Sequence, residues 1–200
     1  MKNSEKIILA SASPRRRELL ERAGVPFEVR VSDADESADA HGHPAELAMA
    51  NARLKAVAVA RKNAGRYVLG ADTVVWLAPN LYGKPSDLDG ARRMLGELRG
   101  KTHSVFTGVC AAYCPADGAE VRTLCDFGES RVAFRNLDES QIAQYLSKVD
   151  VLDKAGAYAA QEHGSMIIDD IDGGFDNVMG LPVELAKKTL DTLARKMQTV

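Results

Sequence analysis

The chain has 200 residues, enough for one well-filled core or two small lobes, and its 46% hydrophobic and 27% charged composition is that of a globular protein. A net charge of −2 gives no general attraction to nucleic acid or to an anionic membrane, so any anion site must be a local concentration of positive groups. No apolar stretch approaches the roughly 20 residues that cross a bilayer, and the apolar run at 7–10 is too short for the core of a secretory leader. A cytoplasmic location is therefore expected, with neither membrane nor nucleic acid among the partners.

In chain order, the first apolar run, 6–10, reads as a strand. A Ser-Ala-Ser turn leads into a helical pattern over 14–23, with Leu19, Leu20 and Ala23 on one side and Glu18, Glu21 and Arg22 on the other. A second strand is predicted over 27–31, followed by the acidic pair Asp35-Glu36. The Ala-rich segment 44–62 places Leu47, Leu54 and Val57 or Ala58 at helical spacing and carries Lys55. The long apolar run 67–77 reads as a strand, and Gly83-Lys84-Pro85 as a tight turn presenting one lysine.

A third helix is predicted over 88–98, carrying Ala91, Met94, Leu95 and Leu98. Two strands, 102–113 and 122–134, flank Cys114-Pro-Ala-Asp-Gly-Ala-Glu, which has the composition of a hairpin loop. A capping box from Asp138 to Gln141 opens a helix over 138–147 that carries Ile142, Tyr145 and Leu146. A strand at 165–171 and a helix at 182–196, with a proline near its first turn, close the pattern. The early alternation of strand and helix with a hairpin in the middle predicts one α/β domain over 1–200, built on a mixed sheet flanked by helices.

The three cysteines, Cys110, Cys114 and Cys125, include one pair four residues apart, but no nearby His or Cys pair completes a zinc set. Reduced thiols with structural roles are the expectation. The four histidines form no metal triplet and are expected to be solvated or structural.

Two stretches carry chemistry. Where the first strand ends, Ile-Ile-Leu-Ala-Ser-Ala-Ser-Pro-Arg-Arg-Arg (7–17) puts two serines and three arginines at the start of a helix. Pro14 suits the first helical position, and the unpaired N–H groups of that turn face outward with the positive end of the helix. Ser11 and Ser13 add hydroxyls, and Arg15, Arg16 and Arg17 add planar forks that match phosphate oxygens. The glycines of a Walker loop or a dinucleotide fingerprint are missing, so this is an anion turn of another kind; a capped helix with solvated arginines is the plainer alternative.

The second stretch is Gly-Ala-Asp-Thr-Val-Val (70–75), where Asp72 interrupts an apolar strand. A buried carboxylate there needs a partner, water or a metal ion. Asp153-Lys-Ala-Gly-Ala-Tyr-Ala-Ala-Gln161 adds acid, base and amide groups among small residues. Carboxylates, lysines and an anion cradle together suit a magnesium–polyphosphate site, since Mg²⁺ commonly takes one or two carboxylates with phosphate oxygens and water.

Read in order, SASPRRRELL, GADTVV, GKP, DKAGAYAAQ and VMGLP closely resemble the motifs of the Maf family of nucleoside triphosphate pyrophosphatases, over about residues 7–190. The resemblance implies an α/β fold similar to that of inosine triphosphatases, with a mixed twisted sheet and a central cleft between two lobes. It also implies phosphate binding by Ser11, Ser13, Arg15 and Arg16, and proton abstraction from water by Asp72. Glu36 would serve metal or water, Lys55 and Lys84 the phosphates, and Asp72 with Glu36 would hold a divalent cation (Mg, Mn or Co).

Arg15, Thr73 and Gln161 match positions that the family associates with pyrimidine choice, which implies dTTP and UTP as substrates, cleaved to monophosphate and pyrophosphate. A 7-methyl-GTP pyrophosphatase and a non-catalytic nucleotide-binding regulator of cell division stand as alternatives, and a homodimer is compatible with the resemblance. The chain departs from the family pattern at Gly173-Gly-Phe-Asp-Asn177, where the usual stretch is Gly-Ser-Tyr and the aromatic ring here lacks a hydroxyl.

Overall fold

The structure, a computed structural model, describes residues 6–35, 42–117 and 120–198. Seven strands form one sheet in the order β2 (Phe27–Val29), β1 (Ile7–Leu9), β3 (Tyr67–Leu77), β5 (Thr102–Tyr113), β6 (Arg122–Phe134) and β7 (Ile168–Gly173), with β4 (Asn80–Tyr82) paired to β3. β1 runs parallel to both β2 and β3, whereas β4 on β3 and β7 on β6 are antiparallel, so the sheet is mixed as expected. The helices are α1 (Pro14–Arg22), α2 (Pro44–Arg61), α3 (Leu88–Leu98), α4 (Glu139–Leu146), α5 (Phe175–Met179) and α6 (Val183–Gln198). No helix among the described residues is long and apolar enough to cross a membrane.

The chain divides into two compact units: Met1–Asp72 with Thr107–Gly128 and Gly180–Val200, and Thr73–Phe106 with Glu129–Met179. The first contains α2, half of whose buried residues are alanine, and two strand glycines receive that face. A Cβ at Gly70 would lie 2.2 Å from the Ala52 carbonyl oxygen, and one at Gly108 would lie 2.4 Å from the Ala48 carbonyl carbon. Helix backbone therefore lies directly against strand backbone, and Ala52, Ala56, Val59 and Ala60 pack with Ile8, Val68, Cys110 and Ala112.

The second unit has a larger-residue core, with Leu95 and Leu98 of α3, Ile142 and Tyr145 of α4, and Val105, Val132 and Phe134 of the strands. Its α4 is opened by the predicted capping box: Asp138 accepts from the Gln141 N–H, and the Gln141 side chain accepts from the Asp138 N–H.

Several local features differ from the sequence expectation: β2 is shorter, ending at Val29, and a short helix, α5, follows the last strand. β4 is a three-residue strand, too short to show alternation, and is recruited by pairing with β3. The last strand begins at Ile168, because 164–166 form a 3-10 turn, and it continues through Asp169, Asp170 and Asp172. It ends the strand order, and an acidic strand suits a sheet edge, where charge discourages further pairing.

His103 on β5 is buried between Phe134 and Tyr158, with ring centroids 4.8 and 5.4 Å away. Its Nε2 lies 2.9 Å from the Tyr158 hydroxyl, and its Nδ1 has no partner. Burial pushes the imidazole down to about 4, from an ordinary value of 6.5. The unfolded chain thus binds a proton below about 6.5 that the folded protein refuses until about 4, so stability is full above that window and falls as pH drops through it. The shift corresponds to about 3 kcal/mol. Urea denaturation between pH 7.5 and 4.5 is expected to show a steeper loss in the native protein than in His103→Gln, which keeps a polar partner for Tyr158 without a titrating group.

Candidate active site

The close seating of α2 on β3 brings polar side chains to Asp72. Side chains alternate along a strand, so Asp72 points to the same face as Gly70, the face covered by α2. Asn51 and Lys55 are four residues apart, on one side of that helix. Lys55 Nζ donates to Asp72 Oδ1 at 2.7 Å, and Asn51 Nδ2 donates to Oδ2 at 3.2 Å. Asp72 is only 7% exposed, and both partners are buried. Among the described residues each carboxylate oxygen accepts from one donor, so the group is fixed in orientation, and a carboxylate oxygen has the lone pairs to accept a second.

The family resemblance assigns Lys55 to phosphate. The structure places its ammonium group on Asp72 and within 3.5 Å of the Ala71 carbonyl oxygen, where it neutralises the buried carboxylate. Asn51 was not singled out in the sequence. An asparagine four residues before a lysine in an alanine-rich helix is the signal that could have found it.

The turn between β1 and α1 is built from within. Ser11 Oγ accepts from the Ser13 N–H at 3.2 Å and from Arg16 Nη1 at 3.0 Å, which leaves its own proton to be donated elsewhere. Arg16 Nε also donates to the Gly180 carbonyl at 2.8 Å, tying this turn to the Gly-Leu-Pro segment before α6. Pro14 opens α1 as predicted; the helix has no acidic residue in its first turn, and Arg15, Arg16 and Arg17 follow the proline. Cations at the positive end of a helix are unfavourable by themselves, and an anion bound there relieves both fields. Ser13 and Arg15 are half-buried beside Ser11 in this turn.

The remaining candidates among the described residues belong to the second unit. Thr73 follows Asp72 on β3 and therefore points to the opposite face, shared with Val75. Val75 packs against Gly156, where a Cβ would approach it to 3.0 Å, and Gly156 has φ +69°. The Gly156 N–H donates to the Gly83 carbonyl at 3.0 Å, which fastens the Gly-Lys-Pro turn to this segment and sets exposed Lys84 beside it in the chain. Tyr145 hydroxyl bonds both the N–H and the carbonyl of Ala159. Lys154 is buried and holds Asp153 at 2.8 Å and the Asp150 carbonyl, so this acid–base pair serves the loop.

Gln161 ends that rigid segment. Its Nε2 donates to Glu162 at 3.1 Å, while its Oε1 is buried with no hydrogen-bond partner. An acceptor left in that state costs about 1–3 kcal/mol and is satisfied by any ligand donor that reaches it. The atypical 173–177 stretch joins the end of β7 to the start of α5 and is anchored by Asn177, which donates to the Val105 carbonyl and to Ser130 Oγ, both at 3.0 Å; Phe175 is 47% exposed. The ring that stands where the family has tyrosine is thus largely on the surface.

Glu36 lies outside the described residues. Among the described residues no group of three or more His, Cys, Asp or Glu side chains is placed to hold a metal ion. Asp72 alone offers one hard oxygen donor, which fits a Mg²⁺-like cation bound mainly by phosphate oxygens and water and does not fit a protein-enclosed metal site.

The buried Lys55–Asp72 pair has a measurable signature. Lys55→Met should cost about 3–5 kcal/mol, because it strands a buried carboxylate, and Lys55→Met with Asp72→Asn should recover much of that loss. Equilibrium denaturation of the single and double variants measures both.

A family model for Maf-like protein matches residues 6–193. The chain is 48% identical over 187 residues to the dTTP/UTP pyrophosphatase of Akkermansia muciniphila, covering 94% of this chain and 96% of that protein. It is 44% identical over 181 residues to the dTTP/UTP pyrophosphatase of Bacillus cereus, covering 90% and 86%. Among solved structures, the Staphylococcus aureus Ham1 protein matches 94% of this chain and 99% of its own, with a TM-score of 0.52 and 16% identity, a likeness of fold alone. The five ordered motifs, the match along nearly the whole chain and these identities agree: this protein belongs to the Maf family.

Proposed function

We propose that this chain is a nucleoside triphosphate pyrophosphatase that hydrolyses dTTP and UTP, adding water across the bond between the α- and β-phosphates to give the nucleoside monophosphate and pyrophosphate. Relatives at 44–48% identity carry that activity in their names. The observation that carries the assignment is Asp72, a buried carboxylate on an apolar strand, held by Lys55 on one oxygen and Asn51 on the other, each oxygen with lone-pair capacity for a further donor. Asp72 orients that water and takes its proton. Lys55 and Asn51 hold the carboxylate in place. Ser11, Ser13, Arg15 and the N–H groups that open α1 bind phosphate oxygens, Arg16 braces the turn while presenting charge, and Lys84 adds a further cation. A divalent cation bound with the substrate would neutralise phosphate charge, and Asp72 with Glu36 would be its protein donors.

Pyrimidine choice follows from the orphaned Gln161 oxygen. Uracil and thymine present a ring N–H between two carbonyls, and an amide oxygen accepts from it; cytosine presents an acceptor at that ring nitrogen. This favours UTP and dTTP over CTP, while the names of the relatives favour them over the 7-methyl-GTP alternative.

A panel of nucleoside triphosphates assayed for pyrophosphate, with Mg²⁺, Mn²⁺ or Co²⁺ and after chelation, tests the assignment. Turnover is expected with dTTP and UTP and is expected to vanish with chelator. Asp72→Asn should lose roughly 100-fold or more in kcat while still binding nucleotide. A folded Asp72→Asn with native turnover removes Asp72 from catalysis, and nucleotide binding without pyrophosphate release by the native protein would favour the regulator.

Gln161→Ala should lower kcat/KM for UTP and dTTP roughly tenfold and narrow the preference for UTP over CTP. An equal loss on every substrate, with a lowered Tm, would make Gln161 a structural residue.

A further inference from the structure

Cys110 and Cys125 occupy neighbouring strands that the 114–121 loop joins. Each lies three residues from the loop end of its strand, Cys110 before Tyr113 and Cys125 after Arg122, so the hairpin sets them opposite one another. Their sulfurs are 2.6 Å apart and both are free thiols. Cys110 is fully buried, in the apolar cluster with Ala52 and Ala56 of α2, while Cys125 at the margin of that cluster is half-buried. Cys114, the third thiol, is buried at the strand end and rests against the Pro115 carbonyl at 3.8 Å.

We propose that Cys110 and Cys125 are a redox modification site, a thiol pair that a hydroperoxide converts to an intrachain disulfide. The partly exposed Cys125 is the attacking sulfur, and the buried Cys110 resolves the product. In the first step the Cys125 thiolate attacks a peroxide oxygen. The O–O bond breaks, the alcohol or water leaves with the second oxygen, and Cys125 becomes a sulfenic acid. In the second step Cys110 gives up its proton and attacks the Cys125 sulfur. The S–O bond breaks and water departs, so two thiols lose two electrons and the peroxide gains them.

The surroundings support that order. Contact with the Cys110 sulfur, and the nearby Arg53 guanidinium on α2, hold the Cys125 thiol below its ordinary range, while contact with Cys125 and burial push Cys110 up. A buried resolving thiol within contact distance captures the sulfenic acid before further peroxide does. None of the groups that touch Asp72 takes part, so the site is separate from the hydrolytic one.

The test is thiol counting on the full-length protein, treated with a modest excess of hydrogen peroxide, denatured and alkylated. Two of the three thiols should disappear and return with dithiothreitol, and a non-reducing digest should show one Cys110–Cys125 cross-linked peptide. Cys114→Ser should behave as the native protein does. Cys110→Ala should leave a Cys125 sulfenic acid that dimedone traps, a readout that stands even if Cys125→Ser folds poorly. Survival of all three thiols, a cross-link through Cys114 or to a second chain, or Cys125 driven to sulfinic acid while Cys110 stays free would overturn the proposal.

Discussion

The contact of α2 backbone with β3 and β5 backbone at Gly70 and Gly108 is the constraint from which the chemistry of the first unit follows. Without a side chain at either glycine, the alanines of α2 descend onto the sheet until helix and strand atoms touch. At that distance a side chain as short as asparagine reaches across to Asp72, and lysine arrives with its ammonium group buried. A larger residue at either glycine would lift the helix and leave Asp72 as an unpaired carboxylate in an apolar layer, a costly state. The small residues of this layer therefore do more than fill space: they set the separation at which a buried charge is tolerated.

β3 then separates two tasks by the alternation of its side chains. Asp72 faces α2, and Thr73 faces the side on which Val75 packs against Gly156. The segment around Gly156 is locked by unusual means for a loop. Tyr145 bonds both backbone groups of Ala159, Tyr158 meets His103, and a buried lysine gathers Asp153 and the Asp150 carbonyl. Rigidity of this kind is what allows Gln161 to hold an oxygen buried and unsatisfied. A flexible loop would turn that oxygen to water.

At the β1–α1 turn the same logic appears in the positive sense. Three arginines at the positive end of a helix are unfavourable by themselves, and Arg16 is braced there by the Gly180 carbonyl and Ser11 Oγ. Positive charge gathered on a chain whose net charge is −2 is a local device, and it is placed where backbone N–H groups already point outward.

Much of this was legible in the chain alone, wherever local rules govern. The three long strands 67–77, 102–113 and 122–134 emerged with their predicted ends, because long apolar runs bounded by turn residues leave little freedom. The capping box at Asp138 and Pro14 at the head of α1 are likewise decided within a few residues. The ordered motifs carried the family and the candidate residues.

What the chain alone left open depends on separation in space. Asn51 is an ordinary polar residue until the fold sets it on Asp72, and the ion pair of Lys55 with Asp72 is equally invisible until helix and strand are in place. β4 exists only because β3 offers it an edge, and the pairing of Cys110 with Cys125, rather than with the nearer Cys114, is decided by strand register across a hairpin. Short-range geometry follows from residue type and spacing, whereas the partner of a buried polar group is decided by which distant backbones come into contact.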